Sequence, residues 1–418
     1  MRQRGRGMGK LWSPSMYDTA IVGGGLAGLT TAALLARAGQ RVLVLEKSKH
    51  IGGRARTTSR DGFDFNVGAH ALYRSGHARR ILDNLGVPYS GSTPPLGGIA
   101  VTDEDAYAFP VTPWSWLTTD LFTPSQRAEL ARQLIRLGAA SASSWIGKAL
   151  AEFLDGIGDL RVRQSIESLF RLTTYGNDPD RFDAGASIEQ VQLALRNVLY
   201  LDGGWQTLVD GAADVARSHG AEIVARRVDS LDEIDARTIV IAASPTVAAK
   251  LTGSEALSRF ADTSIPVRAA CLDVALSSLP NPRPLALGLD RATYLSVHSA
   301  SAKLAPEGGA LIHALAYIKE GEERDPRAEL EDLLDRVQPG WRELVVHQQY
   351  LPQMTVTHAM PAAATGGLAG RFDPEIPDRP GTFVVGDWVG SRGMLVDAAL
   401  ASAEQVAEHL LTRAREAA

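Results

Sequence analysis

Three glycines, Gly23, Gly25 and Gly28, stand in "IVGGGLAG", between "DTAIV" and the alanine-rich "LTTAALLARAG". Their GxGxxG spacing suits one task, holding a pyrophosphate against backbone amides. Gly23 allows a tight turn, Gly25 has no side chain to block the phosphates, and Gly28 lets a helix approach a strand. Leu26, Ala27 and Gly28 open that helix, whose amides meet the phosphate charge. Glu46, followed by Lys47, stands where a carboxylate can accept both hydroxyls of a ribose, and an acidic residue there argues against a 2'-phosphate. The glycine spacing alone does not separate NAD from FAD.

These residues need elements to position them. "YDTAIV" reads as a short buried strand, "LAGLTTAALLARAG" as a helix closed by Gly39, and "QRVLVLEKS" as a second strand. Together they form a strand–helix–strand unit with the spacing of a dinucleotide site.

"HIGGRARTTSRDGFDFNVGAHALY" follows, with Gly52, Gly53, Arg54 and Thr57, then Gly62, Phe63, Asp64, Gly68, Ala69 and His70. On this GGR-x-x-T segment and the glycine loop after it, the chain resembles the FAD-dependent flavin amine oxidase, protoporphyrinogen oxidase and phytoene desaturase-like superfamily. The resemblance implies that Gly52, Gly53 and Arg54 run along the FAD pyrophosphate and that the loop Gly68–His70 passes near the isoalloxazine. Paired glycines permit close backbone approach, and an arginine makes charge-assisted bonds to phosphate. His70 is expected to serve the loop's structure rather than to carry protons. The closing segment "GTFVVGDWVGSRGMLVDAALASAEQVAEHLLTRA" carries the second signature, Gly386-Asp387, a glycine-containing loop and a long helix. By resemblance Asp387 bonds the ribityl chain, Met394, Leu395 and Val396 approach the ring, and the backbone near Val228 meets adenine. The helix start then favours negative charge at the flavin N1–C2=O. Asp397 is unusual at its place, and is read as the cap of its own helix or as a charge beside the flavin.

Between these ends, "PSQRAELARQLIRLGAA", "SSWIGKALAEFLDGI", "LRVRQSIESLFRLTTYG" and "SIEQVQLALRNVLY" read as helices covering a substrate. "AEIVARRV" and "ARTIVIAASP" read as buried parallel strands. From 263 to 360, runs alternating at period two, with one helix at "DPRAELEDLLDRVQPGW", read as a mixed sheet flooring a pocket. The expected fold is α/β, a two-domain, glutathione-reductase-type Rossmann-like FAD-binding fold with a mixed-sheet and helical substrate domain. The FAD-binding domain is discontinuous over 17–90, 200–260 and 378–418, the substrate domain covers 91–199 and 261–377, and 1–16 is a flexible extension.

The chain has 418 residues, 45% hydrophobic and 22% charged, with net charge -5, which invites no nucleic acid. Its one cysteine, Cys271, excludes an intrachain disulfide and a cysteine metal cluster, and the nine histidines show no metal-ligand spacing. The chain reads as cytoplasmic, contact with a membrane surface stays open, and nothing addresses oligomeric state. No Ser/His/Asp order or H-E-x-x-H pattern asks for hydrolysis, so the chemistry is redox, with FAD bound non-covalently and hydride leaving a substrate for flavin N5. Trp114, Trp116, Trp145, Phe153 and Phe170 are weighed as pocket wall or core. Tyr175, Tyr294 and Tyr317 are weighed as polar handles, and His298 and His313 as bases or satisfied sheet residues. No lysine matches the one amine oxidases place at N5, Lys303 included, and Trp388 only loosely fills an aromatic cage. The reading therefore favours a hydrophobic small-molecule substrate, isoprenoid, carotenoid-like or polycyclic, undergoing C–C desaturation. A flavin amine oxidase and a non-redox binding protein on the same scaffold are the alternatives.

Overall fold

The computed structural model describes residues 16–95 and 97–416. Apart from Met16, the extension expected over 1–16 lies outside the described residues. The strand–helix–strand unit forms as β1 (Tyr17–Val22), α1 (Leu26–Arg37) and β2 (Val42–Glu46). These strands sit in a five-stranded sheet in the order Glu222–Ala225, β2, β1, Ala236–Ile241, Thr382–Val384, with every pairing parallel. Apolar residues project from both faces, as a sheet covered on both sides requires. Ile21, Val44, Val240 and Phe383 pack under α1, the helix Gln206–Ser218 and the closing helix Leu395–Glu416. Ile241 and Val384 pack on the opposite side with Trp388 and the helix Pro245–Thr252.

The second sheet has seven strands in the order Val345–Thr357, Val267–Leu276, Ala310–Ile318, Thr293–Val297, Leu285–Gly288, Ile99–Val101, Ala106–Ala108. Only the pairing of Leu285–Gly288 with Ile99–Val101 is parallel. One face packs against the helix Arg327–Val337 through Leu330, Leu333 and Leu334. A helical layer, chiefly Pro124–Ala139, Leu160–Thr174 and Ala184–Ala194, gathers around Phe153, Phe170 and Phe182. Between the two sheets runs the hairpin of β3 (Thr57–Arg60) and β4 (Phe63–Asn66), followed by α2 (His77–Leu85).

Three sequence expectations need correction. "SSWIGKALAEFLDGI" is not one helix: Gly147 has φ +79° and separates a 3-10 turn, Ala142–Trp145, from the short helix Leu150–Leu154. "SIEQVQLALRNVLY" stops being helical at Ala194, Asn197 turns with φ +74°, and Val198–Leu201 becomes a strand. Glu222–Ala225 is a largely exposed edge strand rather than a buried one, because among the described residues β2 is its only neighbour.

Candidate functional site

The three fingerprint glycines have different physical reasons. Gly23 has φ +116°, and a Cβ there would lie 2.4 Å from the Ala242 carbonyl oxygen. A Cβ on Gly28 would lie 2.1 Å from the Gly23 carbonyl oxygen, so this glycine lets α1 sit on the turn. Gly25 is unlike both. Its φ is -77°, and its nearest protein atom to a Cβ would be the Gly52 carbonyl oxygen at 4.0 Å. Neither backbone geometry nor protein packing demands glycine here. Gly25 is also the N-cap of α1, with no side-chain cap, which leaves the first-turn amides of Leu26, Ala27 and Gly28 to an outside acceptor. The Gly52 amide donates to the Gly24 carbonyl at 2.8 Å and brings Gly52 and Gly53 alongside. Glu46 accepts from the Gly24 amide at 2.7 Å and the Ser48 amide at 2.9 Å. Its carboxylate retains lone pairs for hydroxyl donors. Lys47 is exposed, and Val228 is buried against Val22 and Leu45 at the same sheet end.

A second group gathers on Asp387, which is buried. Its carboxylate receives Arg54 Nη1 at 2.8 Å, His358 Nδ1 at 3.0 Å and the His358 amide at 3.2 Å. Arg54, whose side chain stays exposed, also donates to the Val356 carbonyl. Burial alone would raise the Asp387 pKa, but the Arg54 charge and the His358 hydrogen bond hold it far below the usual carboxylate range. The Gly386 amide donates to Ser402 Oγ, tying this turn to the closing helix. Arg371, also buried, donates from Nη1 to the Gly393 carbonyl at 2.8 Å, beside Met394, Leu395 and Val396. Leu395 begins the closing helix with φ +54°. His358 and Arg371 escape sequence reading because they arrive from loops, with no spacing to announce them.

The loop Gly68–His70 lies over the mixed sheet. The His70 ring donates from Nδ1 to the Gly68 carbonyl at 2.8 Å and leans on Trp205. Burial lowers its pKa to about 4, so it is a neutral loop support. Under the loop, one rung of the sheet is polar. Gln349, Asp273, His313 and Ser296 are successive cross-strand partners. Asp273 accepts from His313 Nδ1 at 2.5 Å, Cys271 Sγ at 2.9 Å and Gln349 Nε2 at 3.1 Å. Cys271, Asp273 and His313 thus bring possible metal ligands within 4.8 Å. Protons on the thiol and imidazole already account for that spacing. His298 is not the satisfied sheet residue expected: it opens a 3-10 turn just after the strand Thr293–Val297, stacks on Tyr200, meets the His313 ring edge-on, and its buried Nε2 has no partner. Tyr175, Tyr294 and Tyr317 are held in the same region, Tyr175 donating to the Ala69 carbonyl.

Several other expectations change. Asp397 does not cap its own helix. It accepts from the Ala78 amide at 2.6 Å and so caps α2, whose N-cap, Gly76, has no side chain. Trp388 is 1% exposed, packs with Phe260 and Phe372, and donates to the Ala243 carbonyl, so it is core and not an aromatic cage. Trp114 is 75% exposed, whereas Phe153 and Phe170 are core. An open depression of about 540 Å³ lined by Arg171, Asp290, Arg291 and Arg324 lies at none of these segments. Its charges are already paired with neighbouring side chains.

A parallel sheet with an uncapped glycine turn at its carboxyl edge, joined to a mixed sheet, has the architecture of a dinucleotide-binding fold. A family profile described as an NAD(P)-binding Rossmann-like domain matches residues 21–85. The chain is 41% identical over 75 residues to all-trans-retinol 13,14-reductase of Rattus norvegicus, a segment covering 17% of this chain and 12% of that protein. Its fold matches an oxidoreductase from Methanosarcina mazei with a TM-score of 0.76 at 18% identity, over 94% of this chain and 100% of the other. It also matches cyclohexylamine oxidase from Brevibacterium oxydans with a TM-score of 0.67 at 19% identity, over 95% of this chain and 100% of the other. The profile covers the glycine turn and the GGR segment, and the solved oxidoreductases share the fold of this chain.

Proposed function

We propose that the chain is an FAD-dependent oxidoreductase that takes a hydride from a hydrophobic substrate by C–C desaturation or dehydrogenation. The observation that carries the cofactor assignment is Gly25, a glycine that no protein atom requires, at the uncapped start of α1. In this reading Gly23, Gly25, Leu26, Ala27, Gly28, Gly52 and Gly53 hold the pyrophosphate. Glu46 and Lys47 serve the adenosine ribose, Val228 the adenine, Gly386 and Asp387 the ribityl chain, and Gly68, Ala69, His70, Leu395 and Val396 the ring. Arg54 bridges this set by holding the Asp387 carboxylate in place. The segments 17–90, 200–260 and 378–418, which supply all five parallel strands, form the nucleotide domain, and 91–199 with 261–377, which supply the mixed sheet, form the substrate domain.

Bound FAD supplies a hydride acceptor. The chain's own residues then position the donor and keep water away. Half-buried Leu169, Leu172, Tyr175, Met354 and Val356 pack beside the Ala69 loop, and Met360, Met394 and Leu395 join the helical layer. This wall is apolar, and the burial of Trp388 removes an amine-binding aromatic pair, so an apolar donor fits better than an amine. Purified protein should be yellow, and an apolar polyene precursor should bleach it anaerobically. Hydrogen peroxide release on simple amines, without that bleaching, would make it an amine oxidase. A protein that neither carries nor takes up FAD would be a non-redox binding protein.

A further inference from the structure

Arg371 has no role in the nucleotide-holding set, and the protein's packing does not account for it. It is only 7% exposed, yet its Nε has no hydrogen-bond partner, and Nη1 is spent on the Gly393 carbonyl. Among the described residues no carboxylate lies within ion-pair distance of it. The one acid that acts on it is Asp387, already engaged by Arg54 at 2.8 Å and His358 at 3.0 Å. Asp387 is thus in contact with Arg54 and acts on Arg371 only from beyond ion-pair distance. Burial lowers the Arg371 pKa to about 10, and Asp387 offsets only part of this. A buried cation with an unmet donor is costly unless an anion completes it.

The position selects the anion. Arg371 is anchored at Gly393, just before the 22-residue helix Leu395–Glu416, whose positive end faces the same place. Donors for the pyrophosphate lie elsewhere, at the start of α1. Met394 and Leu395 join Met360 and Leu368 in the apolar cluster of the substrate wall. The charge awaited here forms next to the substrate. We propose that Arg371 is the counter-charge for the anion that forms on the flavin pyrimidine edge, N1–C2=O, when hydride arrives at N5. The C–H electron pair enters with the hydrogen at N5, and the displaced ring pair leaves one negative charge at N1–C2=O. This inference rests on the flavin reading above.

Sulfite tests the charge without any substrate. Its sulfur lone pair forms a bond to N5 and the displaced pair produces the same charge at N1–C2=O, which bleaches the visible band. Titration of the FAD-loaded wild type, Arg371→Met and Arg371→Lys with sodium sulfite is expected to show at least about tenfold weaker binding for Met, the size of one lost charged interaction. The Lys variant should stay within about threefold of wild type, since it keeps the charge. The flavin midpoint potential should fall in the Met variant while FAD content holds. Unchanged sulfite affinity and potential in a folded Met variant overturn the proposal, as does wild-type holoprotein that forms no adduct. Loss of FAD from a folded Met variant also overturns it, because Arg371 would then hold the nucleotide itself. If the Met variant does not fold, Lys and Gln are compared: Lys holding while Gln falls supports the proposal, and equal behaviour overturns it. Failure of the flavin reading is separate, and shows as wild-type protein unable to take up FAD.

Discussion

Gly25 and Gly28 are three positions apart and identical in type, yet substitution should separate them. Gly25→Val should fold with the melting curve of the wild-type apoprotein and lose FAD, since only the nucleotide would meet the new methyl groups. Absorbance of the purified variant checks this, and a yellow protein would place the phosphates elsewhere. Gly28→Ala should instead destabilise by several kcal/mol, because its Cβ would enter the Gly23 carbonyl 2.1 Å away. Asp273 makes a similar contrast with surface acids. Asp273→Ala leaves the Cys271, His313 and Gln349 donors without their acceptor. A loss of about 3 kcal/mol or more is expected, read from the urea midpoint. The glycine turn was readable because phosphate chemistry demands it at fixed local spacing. The polar rung was not, since Asp273, His313 and Gln349 meet only through strand register. His358 and Arg371 reach the Asp387 region through loop paths that no period encodes.

At the scale of elements, α2 and the closing helix share one carboxylate. Asp397 is 0% exposed, and Oδ2 has no partner. Burial raises its pKa to about 6 from 3.8, only partly offset by the Ala78 amide. Between those values the folded protein binds more protons than the unfolded chain, so this group's contribution to stability falls as pH rises from about 4 to 6 and stays low above that. The full difference is about 3 kcal/mol. Asp397→Asn removes the titration. Its stability relative to wild type should therefore rise as pH rises through this window, as measured by urea midpoints from pH 4 to 7.5. A pH-independent difference would mean that Asp397 titrates normally. Gly76→Ala tests the same joint sterically, since a Cβ there would lie 2.4 Å from both Asp397 oxygens although φ, at -79°, is ordinary. A loss of about 2 kcal/mol is expected from calorimetric melting, with the amides of α2 exchanging faster. From sequence an N-terminal acid reads as the cap of its own helix or as a charge beside the flavin; only the fold shows that the first turn of α2 lies against it. The helices with unbroken apolar periodicity, such as Leu160–Thr174, were placed correctly, and the errors fell where Gly147 and Asn197 turn the chain.

For the whole molecule, both sheets were legible, because continuous apolar strands beside helices and alternating strands beside turns give different patterns. Their joining was not, and the apolar wall beside the Ala69 loop draws on helices, sheet and closing segment together. FAD should act as a clamp on that joining. Stripping the nucleotide should lower the melting temperature, and adding it back should restore the value in a concentration-dependent way. Hydrogen exchange should quicken in the apoprotein at 52–54 and 390–396, and equal exchange with and without FAD would place the nucleotide elsewhere. The order of the parallel sheet has a further consequence. Its strands come from the beginning, middle and far end of the described chain, with Ala236–Ile241 held between β1 and Thr382–Val384. A nascent polypeptide emerging from the ribosome must keep its first βαβ unit waiting, greasy and unpaired, until Ala236–Ile241 emerges, and that strand then waits in turn for Thr382–Val384. Assembly is therefore slow and late, and supplying chaperones or riboflavin during expression should raise the soluble yield.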